Sequence, residues 1–295
     1  MKMNNPAYIL FDLFSKFLSL LPGKSMYVFA DILYITGYYI IGYRRKVVFE
    51  NLKNAFPEKS HREIRHIGRD FYKHLADVMV EDIAMLHMQP SRIDRLVSVQ
   101  NIEVLEDLYA KEKNITALIG HYGNWELLTT ISLHTPYTIL SVYKPLKNKF
   151  FNQKIYQMRK RFDEIPVPMK QVYQYVVAHE KKANPFITGL VADQSPQKNQ
   201  INYWTTFLNQ DTPFFTGAEK IAAKFNHAVI FAAVKKIRRG RYQIVITRLT
   251  EAAAGLEEHE ITEKYVRALE SLIREEPRYW LWSHRRWKHQ RSGIK

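Results

Sequence analysis

The chain of 295 residues has no cysteine, which excludes disulfides, thiolate nucleophiles and cysteine-ligated metal centres. That absence also fits a reducing compartment. There is no His-Glu-x-x-His run, Asp-rich loop or Gly-rich phosphate loop, so the sequence predicts no metal and no cofactor. Ser195 and Ser283 lack the Gly-x-Ser-x-Gly setting of a nucleophile elbow. Acidic residues are scarce, 29 against 44 Lys and Arg, leaving a net charge of +15. Such a surplus calls for an anionic partner: nucleic acid, an acidic membrane, a phosphorylated lipid or an acidic carrier protein.

Long apolar runs are missing too. A membrane span needs about 20 apolar residues. Ala7–Leu21 is too short and is broken by Asp12, Ser15 and Lys16; Met26–Tyr43, with Asp31 its only charge, is borderline. Pro22-Gly23-Lys24-Ser25 turns between them, and Lys2 and Arg44-Arg45-Lys46 give both flanks a cytoplasmic character. A helical hairpin lying in one leaflet, with its flanks on the cytoplasmic side, satisfies these features; a pair of core helices is the plainer reading, and a single transmembrane helix a further one. Abundant aromatics, 18 Tyr, 16 Phe and 5 Trp, interleaved with basic residues, suit a membrane interface at least as well as a nucleic-acid groove.

What is present centres on Gly120-His121-Tyr122-Gly123-Asn124-Trp125-Glu126. The apolar run Ile115–Ile119 before it reads as a buried strand, and Leu127–Ile131 after it as the start of a helix. His121 thus lies where a strand gives way to a helix, where α/β sheets place their chemistry. Glu126, about one helical turn in, would fold back and orient the imidazole as a general base. With no serine or cysteine beside the pair, the nucleophile would be a substrate hydroxyl. The plainer alternative is a histidine that caps a helix. The flanking glycines favour chemistry, because they permit tight turns and close approach.

From Arg44 to about Met88 the pattern is helical, with a break at 57–60 and a capping box of Ser60 and Glu63. His74 falls on the apolar face of that segment and reads as core. Strands are predicted at 115–119, 138–143, 186–192, 228–234 and 242–247, with a short one at 96–99. Helices are predicted at 102–109, 150–162, 172–182, 217–225 and 257–276. Alternating strands and helices predict an α/β fold with a mostly parallel central sheet flanked by helices. The organisation predicted is an N-terminal membrane-anchoring section, residues 1–45, followed by a catalytic α/β domain, residues 46–295.

Further segments line up behind the histidine: Tyr143-Lys144-Pro145, Arg159-Lys160-Arg161, Ala192-Asp193-Gln194-Ser195-Pro196, and Trp280 to Lys288 with His284-Arg285-Arg286-Trp287-Lys288. In this order and spacing the chain resembles the late (secondary) acyltransferases of lipid A biosynthesis, within the wider His-x4-Asp/Glu acyltransferase superfamily. The resemblance implies an O-acyltransferase of the inner membrane that moves a fatty acyl chain from acyl carrier protein to a hydroxyl of a phosphorylated glycolipid, the lipid A precursor. It implies His121 and Glu126 as the catalytic pair, and Asn124, Tyr143, Lys144, Arg159, Arg161 and Asp193 as substrate-binding positions. The two arginines would be forks for phosphate, and Asp193 would hold one of them or cap a turn. Where the family often has a second acidic residue and a glycine after that Asp, this chain has Ser195 and Gln197, and Lys144 replaces a more common Arg; these departures bear on the acceptor. The same chemistry on another glycolipid or an aminolipid stays open. A non-catalytic basic protein that binds membrane or nucleic acid would explain the charge but not the His–Glu motif.

Overall fold

A computed structural model describes residues 5–291; the predicted N-terminal flank at Lys2 lies outside them. Two helices open the chain, α1 (Pro6–Leu20) and α2 (Gly23–Ile35), the second running on as a π-helical turn over Thr36–Ile41. Then come α3 (Arg45–Ala55), the long α4 (His61–Met85), α5 (Pro90–Asp94), β1 (Val97–Gln100), α6 (Glu103–Ala110) and β2 (Ile115–Ile119). A 3-10 helix (Trp125–Leu133) leads to β3 (Thr138–Tyr143), α7 (Lys149–Lys160), β4 (Ile165–Pro168), α8 (Val172–Glu180) and β5 (Phe186–Val191). A hairpin of β6 (Tyr203–Phe207) and β7 (Gln210–Phe214), α9 (Gly217–Phe225), β8 (Ala228–Arg238), β9 (Arg241–Thr250) and α10 (Glu260–Glu275) complete the fold.

The main sheet has seven strands in the order β1-β9-β8-β2-β5-β3-β4. Its one antiparallel pair, β8 with β9, is a hairpin through Gly240; every other pair is parallel. Helices cover both faces of β2, so its residues 115–118 are all buried and read as a continuous apolar run rather than an alternation. Helix α10 buries Ile261, Tyr265, Leu269 and Leu272 at helical spacing against the sheet. The α/β class and most predicted elements are therefore present. The sequence reading missed β4 and the β6–β7 hairpin, and the helix after His121 is 3-10 rather than α.

The capping box forms as read: the Glu63 N–H donates to Ser60 Oγ, and the Ser60 N–H donates back to Glu63 Oε2. His74 is buried, and desolvation, with Lys236 nearby, pushes its imidazole down to about 3. Helices α1 and α2 pack on α4, burying Leu18, Met26 and Ala30 in one core cluster with Ile115, Ala117 and Ile187 of the sheet. Their other face is bare, with Leu10, Leu13, Phe17, Leu20, Ile32, Ile40 and Ile41 exposed. Among the described residues no helix is long and apolar enough to cross a membrane.

Candidate active site

Strands β2 and β5 are parallel neighbours in register, with Ile119 beside Val191. Their carboxyl ends therefore deliver His121 and Asp193 to the same spot. Asp193 Oδ1 lies 2.6 Å from His121 Nδ1, and Oδ2 accepts from the His121 backbone N–H at 2.8 Å. Trp280 Nε1 donates to the same Oδ2 at 2.8 Å. Burial alone would raise the Asp193 carboxyl; the His121 charge and these hydrogen bonds outweigh it and hold the group down at about 2. Burial likewise disfavours the imidazolium, but the charge and hydrogen bond of Asp193, with Glu126 adding, leave the His121 pKa raised.

An ionised Asp193 accepts a hydrogen bond from Nδ1–H, so in the neutral imidazole Nε2 carries the lone pair. The Gln194 amide nitrogen sits 3.1 Å from that Nε2, where a substrate hydroxyl would present its proton. With 15 % of the His121 side chain exposed, the imidazole is reachable. The expected His121–Glu126 pairing is not what orients the ring. Glu126, entering on a 3-10 turn with 3.0 residues per turn, is carried toward α7. Both its oxygens accept from Arg159 Nη2, at 3.0 and 3.2 Å. Glu126 reaches His121 by charge and not by hydrogen bond.

The two arginines separate. Arg159 is spent on Glu126, with its guanidinium 6.0 Å from the Tyr143 ring. Arg161 donates to the carbonyls of Met85 and Met88 at 2.5 and 3.0 Å, capping the negative C-terminal end of α4. Neither is a free fork for phosphate, and Asp193 holds the histidine rather than an arginine. Asn124 is buried and donates to Glu81 Oε2 at 2.9 Å; the same carboxylate accepts from the Tyr27 and Tyr242 hydroxyls. Asn124 thus anchors the His121 loop to α4. Lys144 is exposed, on a basic loop whose Asn148 donates to the Tyr8 hydroxyl of α1.

Two glycines are required by geometry. Gly123 has φ +61°, and a Cβ there would lie 1.9 Å from the Val234 carbonyl oxygen. A Cβ on Gly120 would meet Leu269 of α10 at 2.7 Å. The C-terminal segment closes the loop: Leu281 N–H donates to the His121 carbonyl, and Gly123 N–H to that of Tyr279. The basic run 284–288 splits accordingly. Arg286 is fully buried over the Phe214 ring, whereas Arg285 and Lys288 are exposed. His284 accepts from the Ser195 N–H, and burial holds it neutral, down at about 4.

Beside the imidazole opens an apolar cavity. Trp125 lines it and lies edge-on to the His121 ring at 4.8 Å between centroids, and Ile119, Ile139, Ile187 and Ile230 form much of its wall. Glu126 and Arg159 also line it. On the other side of Gln194 a second groove runs along Tyr34, Tyr38, Tyr72 and His284 toward the N-terminal helices. Sequence reasoning missed Gln194 and Trp280 as members of the site, and Asp82, whose carboxyl is pushed up by burial and by Glu126 and Glu81.

A carboxylate-held imidazole between an apolar slot and a groove suits transfer of an alkyl-bearing group to a hydroxyl. Comparison with curated proteins finds no significant match. The sequence profile of a known family, described as bacterial lipid A biosynthesis acyltransferase, matches residues 2–289. Nearly the whole chain is covered, and the protein belongs to the bacterial lipid A biosynthesis acyltransferase family.

Proposed function

We propose that the enzyme transfers a fatty acyl chain from acyl carrier protein to a hydroxyl of a phosphorylated lipid A precursor at the cytoplasmic face of the inner membrane. The observation that carries this reading is His121, whose Nδ1 is held by Asp193, whose other nitrogen faces Gln194 of the groove, and whose ring meets Trp125 of the apolar cavity edge-on. The acyl chain occupies the cavity. The acceptor enters from the groove beside the N-terminal helices, and its hydroxyl displaces the Gln194 amide.

His121 Nε2 takes the hydroxyl proton as the acceptor oxygen bonds to the thioester carbon. Collapse of the tetrahedral intermediate breaks the carbon–sulfur bond. The departing thiolate recovers the proton from the imidazolium, leaving an ester and a free thiol. Asp193 stabilises the imidazolium throughout, which accounts for its double contact with His121. Glu126 is fixed by Arg159 and adds negative potential at the same place.

The bare apolar face of α1, α2 and the π-turn supports residence on the membrane surface, with the helices lying in the interface. The basic loop bearing Lys144, Lys147 and Lys149 adjoins α1, where it would meet the anionic leaflet or an acidic carrier. The test is a purified-enzyme assay pairing acyl-carrier and coenzyme A thioesters with lipid A precursor, other glycolipids and aminolipids, with products read by mass spectrometry. Ester formed on lipid A precursor from the carrier thioester is the expected result. Acylation of an aminolipid instead would overturn the acceptor, and near-normal turnover by His121→Ala would overturn the base.

A further inference from the structure

A cleft that the transfer chemistry does not use opens where the turn between α1 and α2 meets α5 and the β8–β9 hairpin. Its charged lining is all of one sign: Lys24, Arg92, Arg238, Arg239 and Arg241. Among the described residues, only Arg239 of the five pairs with carboxylates, those of Asp31 and Asp77. Arg92 donates to the carbonyls of Ser19 and Leu21, and Arg241 to that of Arg95, which satisfies hydrogen bonds but not charge. Lys24 and Arg238 are exposed. Four cations without a counter-charge repel one another and focus a positive field in the concavity, which a bound anion relieves.

The hairpin is fixed against α2, so the cleft is built in advance. The Arg239 guanidinium lies 4.5 Å from the centre of the Tyr27 ring, and a Cβ on Gly240 would meet the Tyr27 hydroxyl at 2.8 Å. Lys24 stands at the foot of an apolar stripe. Lys24, Val28, Ile32 and Ile35 follow one another at helical spacing, and the last three are exposed. On α1 the exposed stripe of Leu13, Phe17 and Leu20 ends beside Leu21 of the cleft. Both bare faces therefore run into the cations. Distance from catalysis is set by β8. Its Ala232 pairs with Ile119, in the row that leads to His121, and Arg238 lies six residues further along, about 20 Å at about 3.3 Å per residue.

We propose that this cleft binds the phosphate headgroup of an anionic membrane phospholipid, apart from the acceptor site, and so fixes which edge of the sheet faces the leaflet. The inference rests on the reading of α1 and α2 as membrane-surface helices. A lipid whose chains lie along the two apolar stripes presents its headgroup where the stripes end. Arginine forks suit phosphate oxygens, and Lys24 adds a point charge. Because β8 and β2 are parallel, the hairpin projects from the same edge of the sheet as His121. Anchoring it at the headgroups turns that edge, and the groove beside His121, toward the membrane.

The test is flotation of the purified protein with vesicles of phosphatidylcholine, alone or mixed with phosphatidylglycerol. Wild type should bind the anionic vesicles more tightly. Lys24→Ser with Arg238→Ser removes two exposed side chains and should weaken that binding by about 25-fold, about fivefold for each charge near the surface. Binding to phosphatidylcholine alone should not change. Lys220→Ser with Lys224→Ser takes the same charge from α9, whose Ala218 and Ala222 lie in the other core cluster, and should have little effect. Equal losses in the two double variants would reduce the effect to net charge and overturn the site, as would undiminished binding by the cleft variant. Millimolar inorganic phosphate, against chloride at equal ionic strength, should leave flotation intact; displacement by it would give the cleft to a free anion instead. Turnover of the cleft variant on detergent-dispersed acceptor should match wild type, and a raised Michaelis constant there would give the cleft to the acceptor. Wild type that floats with neither vesicle would remove the membrane reading and this inference together. Equal flotation with both would spare membrane residence and overturn the cleft.

Discussion

Asp193 grips His121 at two points, the ring Nδ1 with one oxygen and the backbone N–H with the other. The carboxylate therefore fixes both the tautomer and the position of the imidazole. Asp193→Asn should lower kcat by about a hundred- to ten-thousand-fold, the range of a positioned base, while Glu126→Gln should cost less. The pH profile provides the second readout. Asp193 raises the His121 pKa, so the acid limb of activity in wild type should lie above the ordinary histidine value of about 6.5. In Asp193→Asn that limb should move to lower pH. A shift the other way would contradict the assignment.

Arg159 pairs with Glu126 inside the protein, so its loss should register in stability. Arg159→Ala leaves a partly buried carboxylate unpaired and should destabilise by about 1–3 kcal/mol in urea unfolding. Replacing Glu126 as well should recover part of that loss. If Arg159→Ala instead leaves stability intact and raises only the Michaelis constant of a phosphorylated acceptor, the arginine is a phosphate fork after all.

Glu164 titrates against folding. Its pKa rises from the ordinary 4.5 to about 7 in the folded protein, so the folded state binds the proton more tightly than the unfolded chain. The stability this confers is full below about pH 4.5 and is lost as pH rises through about 7, by about 3 kcal/mol in all. Denaturation midpoints should fall over that window in wild type and fall less in Glu164→Gln.

Gly123→Ala should prevent assembly of the site. The positive φ and the Val234 carbonyl leave no volume for a methyl group. The expected outcome is a large drop in thermal midpoint or insoluble protein, whereas Gly217→Ala, with open space around it, should be silent.

The bare face of the N-terminal helices gives a membrane test. Burying one Leu, Ile or Phe side chain in the leaflet is worth about 1.5–3 kcal/mol, so Leu13→Glu with Phe17→Glu should release the protein from anionic vesicles in flotation. Soluble unfolding should hardly change, because both side chains are exposed. Catalysis on detergent-dispersed lipid should survive better than catalysis on bilayers. Undiminished flotation would rule out this face as the contact.

Much of the fold could be read from local pattern, because apolar runs such as Ile115–Ile119 and the periodic face of α10 are set by burial alone. The β6–β7 hairpin was not legible: its Tyr203–Phe207 segment carries no strict alternation, and Pro213 sits inside the second strand. For the site, the sequence located His121 and Asp193 but could not join them. Their contact follows from β2 lying beside β5, which is strand order rather than spacing. The same limit explains Arg159 and Arg161, two residues apart in sequence yet bonded to different elements. Gln194 and Trp280 carry no motif signal of their own; only the meeting of distant segments gives them a role.

The strap that runs over the His121 loop also bears on the order in which the fold is assembled. Tyr122 donates to the Glu276 carbonyl across 154 residues of chain, and Trp280 bridges to Tyr122 and holds Asp193. A nascent chain that has emerged only as far as α10 already carries its histidine and aspartate. It lacks the indole and the backbone partners that seat them. Contacts of such long range are slow to find, so the site should be among the last parts of the fold to form.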